Sequence, residues 1–354
     1  MIRMLSSGES HNKGISVIID GLPAGLKISV DLIDKELKRR RAGYGRSERM
    51  VIEEDRVEIL SGIRMGRTIG SPIHLFIKNK DYQQQKFGKQ GSRKPVTVPR
   101  PGHADLAGLL KFGFTDIQDV LERASARETV ARVGASAIFK IFLKEFDVTI
   151  SSKVISIGTA RNGIQMKKLI DEARKKGDTL GGVVEVYADN VPAGLGSYTQ
   201  FDKRLDARIG MTMLSIPSVK GVEIGEAFKN SLRFGSETHD EIFYSKNANF
   251  YRKTNRAGGI EGGISNGERI IARLYAKPIP TLRTPLRSID LKTKKQARAY
   301  KTRADVCVVE AVGVIGEAML TYVVADALCE KFGGDNLVDI KRSYCVYLKR
   351  TKNV

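Results

Sequence analysis

The sequence predicts an α+β fold: two halves of similar build, roughly residues 1–150 and 180–335 of a single 354-residue domain, with helices layered between two sheets. Three observations carry this expectation. A strand running into Pro-Ala-Gly-Leu occurs twice, as VIIDGLPAGLKIS near residue 20 and VEVYADNVPAGLGS near residue 190. Each copy is followed by a glycine turn and a strand, GRTIGSPIHLFI (66–77) and GISNGERIIARL (263–274). Each of those is followed by a long helical pattern, at about 124–146 and about 309–332. Matches this short also arise by coincidence. If the echo is real, the halves are related by a pseudo-twofold, and Ala131, Gly134, Ala135, Ala137, Gly313, Gly316 and Ala318 let the two helices approach closely.

The chain opens with the loop GESHN (8–12), one glycine short of the G-x-S-x-G elbow that presents a nucleophilic serine. That elbow needs a helix after it, whereas the β-branched run at 15–19 reads as a strand. Ser10 and His11 therefore need another role. In KRRRAGYGRSERM (38–50), Arg39, Arg40 and Arg41 suit either a solvated helix end or an anion site. Gly43 and Gly45 permit a tight turn that carries Arg46 and Arg49 back towards the triple arginine, and paired guanidinium hydrogen bonds suit phosphate and carboxylate. The stretch 81–99 is polar and aperiodic and reads as a mobile loop beside Arg100 and His103.

Ser125, in RASARET (123–129), reads as a cap opening the first long helix. With Arg123 and Arg127 the exposed N–H groups there also make an anion site. NRAGGIEGGISNG (255–267) lets backbone approach a flat or phosphorylated ligand, yet neither G-x-G-x-x-G nor a P-loop occurs. KPIPT (277–281) is a rigid turn, and TRADVC (302–307) sets Arg303 and Asp305 before the last long helix. The basic segment 341–354 reads as a tail.

A net charge of +20 calls for an anionic partner, unless the chain is basic only for solubility. With no Trp and 7% aromatics, and with arginines in glycine-rich turns, a small anion in a pocket is favoured over nucleic acid. Three cysteines without C-x-x-C fit neither a disulfide framework nor a zinc site, so no metal is expected. The greasy stretch 306–329 is broken by Glu310, Glu317 and Asp326, so no membrane span is expected. No signal-peptide core opens the sequence, and a reduced, cytoplasmic protein is the expectation. Of the four histidines, His11 and His103 lie in glycine-flanked loops suited to proton transfer near neutral pH.

Taken together, GESH, IIDGLPAGL, RRRxGYGRSxRM, RPGHADLAGxxKFGFTDI, ERASARET, SIPSVKGVEIG, RAGGIEGGISNGE and KPIPTL, in order from about residue 1 to 335, resemble the chorismate synthase family. The resemblance implies a β–α–β sandwich of antiparallel sheets around central helices, a homotetramer, and a reaction. That reaction is the anti-1,4 elimination of phosphate from 5-enolpyruvylshikimate 3-phosphate to give chorismate, with reduced FMN as cofactor. NADPH serves as reductant in some members and an external flavin reductase in others.

It further implies that His11 protonates the departing phosphate and His103 the reduced flavin, that Asp305 helps remove the C6 proton, and that Ser10 and Ser125 relay protons. Flavin contacts fall on Arg123, Ala124, Ser125, Pro217, Ser218, Gly262, Lys277, Pro278, Ile279, Pro280, Thr281 and Arg303. Arg40 and Arg46 match NADPH positions, although a buried trianionic substrate needs such fixed cations, and Arg49 and Arg127 are grouped with them as substrate or NADPH contacts. Asn12 replaces the family's usual glycine; Asn tolerates the left-handed backbone that glycine would take, so the loop is expected to survive, with the orientation of His11 open to change.

Overall fold

Two four-stranded antiparallel sheets of identical strand order form the outer layers. The first comprises β1 (Arg3–Ser7), β2 (Gly14–Asp20), β3 (Val57–Ser61) and β4 (Ile73–Lys78) in spatial order β1-β2-β4-β3. The second comprises β5 (Thr149–Ile157), β6 (Gly182–Asp189), β7 (Val219–Ile224) and β8 (Ile270–Ala276) in the order β5-β6-β8-β7. The order first-second-fourth-third thus occurs twice, and the echo read from the sequence is a duplication of topology. In each half a short hairpin, 63–68 or 260–265, precedes the last strand of its sheet. The computed structural model describes residues 1–47, 54–80, 82, 95–246, 249–299 and 305–354. Arg49, Arg303 and most of the polar stretch 81–99 lie outside the described residues.

Alternation fixes which face of each strand is buried. Ile15, Val17 and Ile19 of β2 and Ile73, Leu75 and Ile77 of β4 turn to the core, as do Val184, Val186 and Ala188 of β6 and Ile270, Ala272 and Leu274 of β8. Between the sheets run α4 (Thr129–Lys144) and α7 (Val309–Phe332). Their contacts advance together, Ser136 Oγ donating to the Ala318 carbonyl at 2.7 Å and Phe139 meeting Tyr322 further along, so the helices run parallel. The glycines expected between them instead face the sheets: a Cβ on Gly316 would lie 2.7 Å from Leu274 Cδ1 and 2.8 Å from Val186 Cγ2. Helix α7 is long and apolar enough to cross a membrane, but 89% of its most apolar window is buried in the protein, where it is the core helix.

The first long helix is shorter than the sequence suggests. The segment around 124 divides into α3 (Ile117–Ala124), an extended residue at Ser125, a 3₁₀ turn (Ala126–Glu128) and then α4. Helix α1 (Val30–Arg41) carries Ile33, Leu37 and Arg40 on its buried face, an i, i+4, i+7 spacing that delivers a cation to the interior. Further elements are α2 (Asp105–Phe112), α5 (Gly163–Lys176), α6 (Leu205–Leu214) and α8 (Leu337–Lys352), the last occupying the expected basic tail. In the core Glu317 of α7 accepts from Arg39, Lys140 and Ser152, joining α1, α4, β5 and α7. Burial pushes its carboxyl up, and the Arg39 and Lys140 partners outweigh that and hold it below the ordinary value.

Candidate active site

The 8–12 loop leaves β1 through Gly8, whose φ of +107° belongs to glycine and whose Cβ, if present, would lie 2.4 Å from the Gly14 carbonyl. Buried Asn79 clamps the loop: its Nδ2 donates to the carbonyls of Asn12 (2.7 Å), Glu9 (3.1 Å) and Ser10 (3.4 Å). The clamp aims His11 at α3, where Glu122 Oε2 accepts from the His11 backbone N–H at 2.9 Å and Glu122 Oε1 lies 3.0 Å from His11 Nδ1. Burial pushes the Glu122 carboxyl up, but hydrogen bonds from His11 and Gln118 prevail and depress it. Asn12 is not among the described non-glycine residues with positive φ, so the left-handed backbone that Asn tolerates is not used here. Instead its Nδ2 donates to Glu9 Oε2 (2.9 Å) and its Oδ1 accepts from the Lys13 N–H (2.8 Å), closing the turn with its side chain.

Ser10 Oγ donates to Ser125 Oγ at 3.1 Å, so the two serines expected to relay protons do touch. Ser125 caps the 3₁₀ turn by accepting from the Arg127 N–H (3.3 Å) and does not open the long helix directly. Arg123 reaches the other way, donating to the carbonyls of Gly8 (3.1 Å) and Ser6 (3.0 Å).

Behind the loop lies a guanidinium cluster. Buried Asp55 accepts from Arg127 at 2.5 Å and from Arg40 at 3.2 Å, with Arg41 at 3.7 Å. Arg46 joins through its 3.0 Å ion pair with Asp305, whose other oxygen accepts from the Ser47 N–H at 2.6 Å. The turn at Gly43 and Gly45, with φ +127° and +92°, makes this return possible, as the sequence suggested. One buried carboxylate among so many cations leaves a surplus of positive charge. Burial, opposed by Asp55 and reinforced by Arg127 and Arg46, pushes Arg40 down to about 10. Arg40 Nε is buried without a hydrogen-bond partner.

The second histidine sits in the RPGHAD turn. His103 Nδ1 is 2.5 Å from Asp105 Oδ1, and Arg100 binds both oxygens of Asp105 while its NH1 donates to Thr281 Oγ1 at 2.7 Å. Burial would raise the Asp105 carboxyl, but His103 and Arg100 hold it well below the carboxylate range. Lys277 donates to the Gly102 carbonyl, and its N–H to the Ser218 carbonyl at 2.9 Å, so the 277–281 turn joins the His103 loop to residue 218. Ser218 has φ +77°, a strained conformation for a side-chain-bearing residue, and its buried Oγ has no partner.

A cavity of about 470 Å³ is lined by Arg123, Ala124, Ser125 and Pro217 together with Ser6, Met4, Met319 and Arg132, while the two histidines and the Asp55 cluster are not part of its lining. Its mixed lining and size suit a flat, charged organic ligand. Gly262 is set apart: its hairpin meets the start of α6 through the Leu205 N–H to Gly263 carbonyl bond, whereas Pro217 follows the end of that ten-residue helix, about 15 Å away along the helix. Asn79, Asp55, Glu122, Asp105 and Arg132 were not singled out by the sequence. Only His-x-Asp in RPGHAD and the Glu before RASARET left a local trace. His74 bonds Ser16 in the sheet, and the described residues hold no His, Cys, Asp and Glu group suited to a metal.

Fold and site together define an α+β enzyme with arginines in the wall of its cavity and two histidines held in loops by carboxylates. The family model described as chorismate synthase matches residues 2–329. Chorismate synthase of Thermoanaerobacter pseudethanolicus is 49% identical over 352 residues, covering 99% of this chain and 100% of that one. That of Aquifex aeolicus is 46% identical over 392 residues, covering 99% and 98%. A crystal structure of chorismate synthase superposes with a TM-score of 0.81 at 39% identity, covering 100% of this chain and 99% of that one. The chain belongs to the chorismate synthase family.

Proposed function

We propose that this chain is the lyase that converts 5-enolpyruvylshikimate 3-phosphate into chorismate and phosphate, using reduced FMN. The observation that carries the reading is the guanidinium surplus around Asp55, next to a loop that presents His11. A substrate with one phosphate and two carboxylates needs such fixed charge, because isolated anions lose too much hydration on burial.

The residues present fit a flavin. The cavity of about 470 Å³ pairs an apolar floor (Met4, Val17, Met319) with the cations Arg123 and Arg132, and the orphaned Ser218 Oγ lies in the residue next to its Pro217 wall. Arg123, Ala124, Ser125, Pro217, Ser218 and the 277–281 turn would hold it. Bound reduced FMN supplies a reversible electron donor that no side chain offers.

In this reading the C6–H bond breaks and its electron pair forms C1=C6, the C1=C2 pair moves to C2=C3, and the C3–O bond breaks to release phosphate. Arg40, Arg46 and Arg127 neutralise the anionic groups, His11 gives a proton to the departing phosphate, and Asp305 takes the proton from C6. His103 would supply a proton to the reduced flavin when it is bound. Ser10 and Ser125 pass protons between His11 and the cavity. Cytoplasmic location is supported by three cysteines that are all unpaired. Assembly into a homotetramer is supported by Leu5 and Ile18, cross-strand partners left exposed on the outer face of the first sheet.

The test is anaerobic turnover with photoreduced FMN, following chorismate and phosphate together, then aerobic turnover with FMN and NADPH alone. Product in the first assay supports the lyase, and its absence refutes it. Product in the second separates a chain that reduces its own flavin from one that depends on an external reductase.

A further inference from the structure

We propose that Glu122 and Asp105 are positioning residues that hold His11 and His103 as Nδ1–H tautomers, leaving Nε2 of each as the nitrogen that exchanges a proton with the bound molecules. The inference rests on the working roles of the two histidines given above.

The two sites are built alike although they come from different elements. A carboxylate only accepts hydrogen bonds, so the imidazole nitrogen facing it carries the proton. Nδ1 of His11 faces Glu122 Oε1 at 3.0 Å, and Nδ1 of His103 faces Asp105 Oδ1 at 2.5 Å. Among the described residues neither Nε2 has a hydrogen-bond partner. The other oxygen of each carboxylate is pinned by a backbone N–H that cannot reverse its role: His11 N donates to Glu122 Oε2 and Arg100 N to Asp105 Oδ2, both at 2.9 Å. Neighbouring donors complete each carboxylate, Gln118 Nε2 on Glu122 at 2.7 Å and the Arg100 guanidinium on Asp105. Both acids are therefore kept ionised by what surrounds them, in agreement with their depressed titration. Arg100 NH2 also lies 3.1 Å from His103 Nδ1, but a protonated Nδ1 cannot accept from it, and that guanidinium turns to Asp105 Oδ1.

The pinned oxygen makes the amide variants informative. In Glu122→Gln and Asp105→Asn the carbonyl must stay on the backbone N–H, so the new NH2 faces Nδ1 and donates to it. Shape is kept while the tautomer is reversed: Nδ1 becomes the acceptor and Nε2 carries the proton. Nε2 gives up a proton only from the imidazolium, which needs an acceptor at Nδ1, and the amide donates there instead. A loss of about 10²–10⁴ in kcat, with KM changed less than about threefold, is therefore expected, as the same reversal lowers kcat by roughly 10⁴ in a serine protease triad.

The experiment is long-range ¹H–¹⁵N correlation on histidine-labelled full-length protein, which has only four histidines and is assigned with the His11 and His103 variants. His11 and His103 should show the Nδ1–H pattern in the unsubstituted chain, and each should switch to Nε2–H in its own amide variant only. Asp105→Asn should cost nothing further in a His103→Ala background. An Nε2–H pattern in the unsubstituted protein overturns the inference without any variant having to fold. Signals that switch as stated while turnover stays within about twofold would leave the tautomers standing and overturn the catalytic role of the histidines instead.

Discussion

Replacing Asp55 by Asn removes the one carboxylate that Arg40, Arg41 and Arg127 share. Arg40 and Arg127 are almost fully buried, so neither recovers water as a partner. Breaking a buried pair from the acid side leaves uncompensated charge and costs about 3–5 kcal/mol. For 354 residues, unfolding entropy of about 2.1 cal/mol/K per residue gives about 0.74 kcal/mol/K, so the melting temperature should fall by about 4–7 °C. The same substitution strengthens the cluster's appetite for anions. Inorganic phosphate at about 100 times its Kd stabilises by about 2.7 kcal/mol, or close to 4 °C on this scale. Scanning calorimetry at constant ionic strength, with phosphate replacing chloride, should therefore restore several degrees to the variant and less to the parent. A fall of under about 1 °C, or equal phosphate shifts in both proteins, refutes the assignment of this cluster as a charge-surplus anion site.

His11→Ala and His103→Ala should each cut kcat by at least about 10²-fold while far-UV dichroism stays unchanged, and near-parental turnover in either removes it from the mechanism. Gly8→Ala should shift the His11 loop and cost about 1–3 kcal/mol, because φ +107° disfavours a side chain and the Cβ meets a backbone carbonyl that cannot yield; a calorimetric melt and a kcat measurement check both effects. Ser218→Gly should leave the melting temperature equal or up to a few degrees higher by relieving φ +77°, yet weaken FMN binding in a fluorescence titration, since it deletes the unpartnered Oγ. Asp55, Asp105, Glu122 and Glu317 all titrate below their ordinary values of 3.8 and 4.5 in the folded chain. The stability they add is complete above those values and lost as pH falls through the depressed ones, so melting temperature should hold from pH 7 to about 5 and drop below about 4.

The fold was legible because alternation and small-residue helices are local signals, and the repeated Pro-Ala-Gly-Leu marks equivalent corners of two sheets with one strand order. The start of α4 was not. RASARET continues the apolar, small-residue pattern of the helix, and what breaks it is the long-range bond from Ser10 to Ser125 together with the extended backbone there. Of the candidate site, the sequence marks the places where chemistry and glycine coincide, the loops of His11 and His103 and the Arg40–Arg46 turn. Asn79 carried no such signal: it reads as an ordinary residue at a strand end, and its role comes from three carbonyls some seventy residues away. Asp55 lies fifteen residues beyond Arg40 and joins it only because α1 buries its last turns. Asn12 keeps its loop by a contact of the same kind. Its conformation follows from the Glu9 side chain it can bond, whereas the backbone preference of a glycine at that position says nothing of such a partner.

The duplication also accounts for where the charge collects. Ser125 stands four residues ahead of α4, which begins at 129, and Asp305 four ahead of α7, which begins at 309. Because those helices run parallel, both N-termini end in the same region. Arg40 touches the first through Thr129 Oγ1 at 3.3 Å, and Arg46 borders the second through Asp305 at 3.0 Å. Each N-terminus adds roughly half a positive charge, so the backbone reinforces the guanidiniums. A fold of two unrelated halves would have to place such ends together by chance, whereas a pseudo-twofold running along the helices does so by construction. The halves then diverged in what they placed at these equivalent positions: a hydroxyl bonded to the His11 loop in one, and a carboxylate paired with arginine in the other. Ser125 thus stands in the cavity wall and Asp305 at the guanidinium cluster, one unlike group from each half.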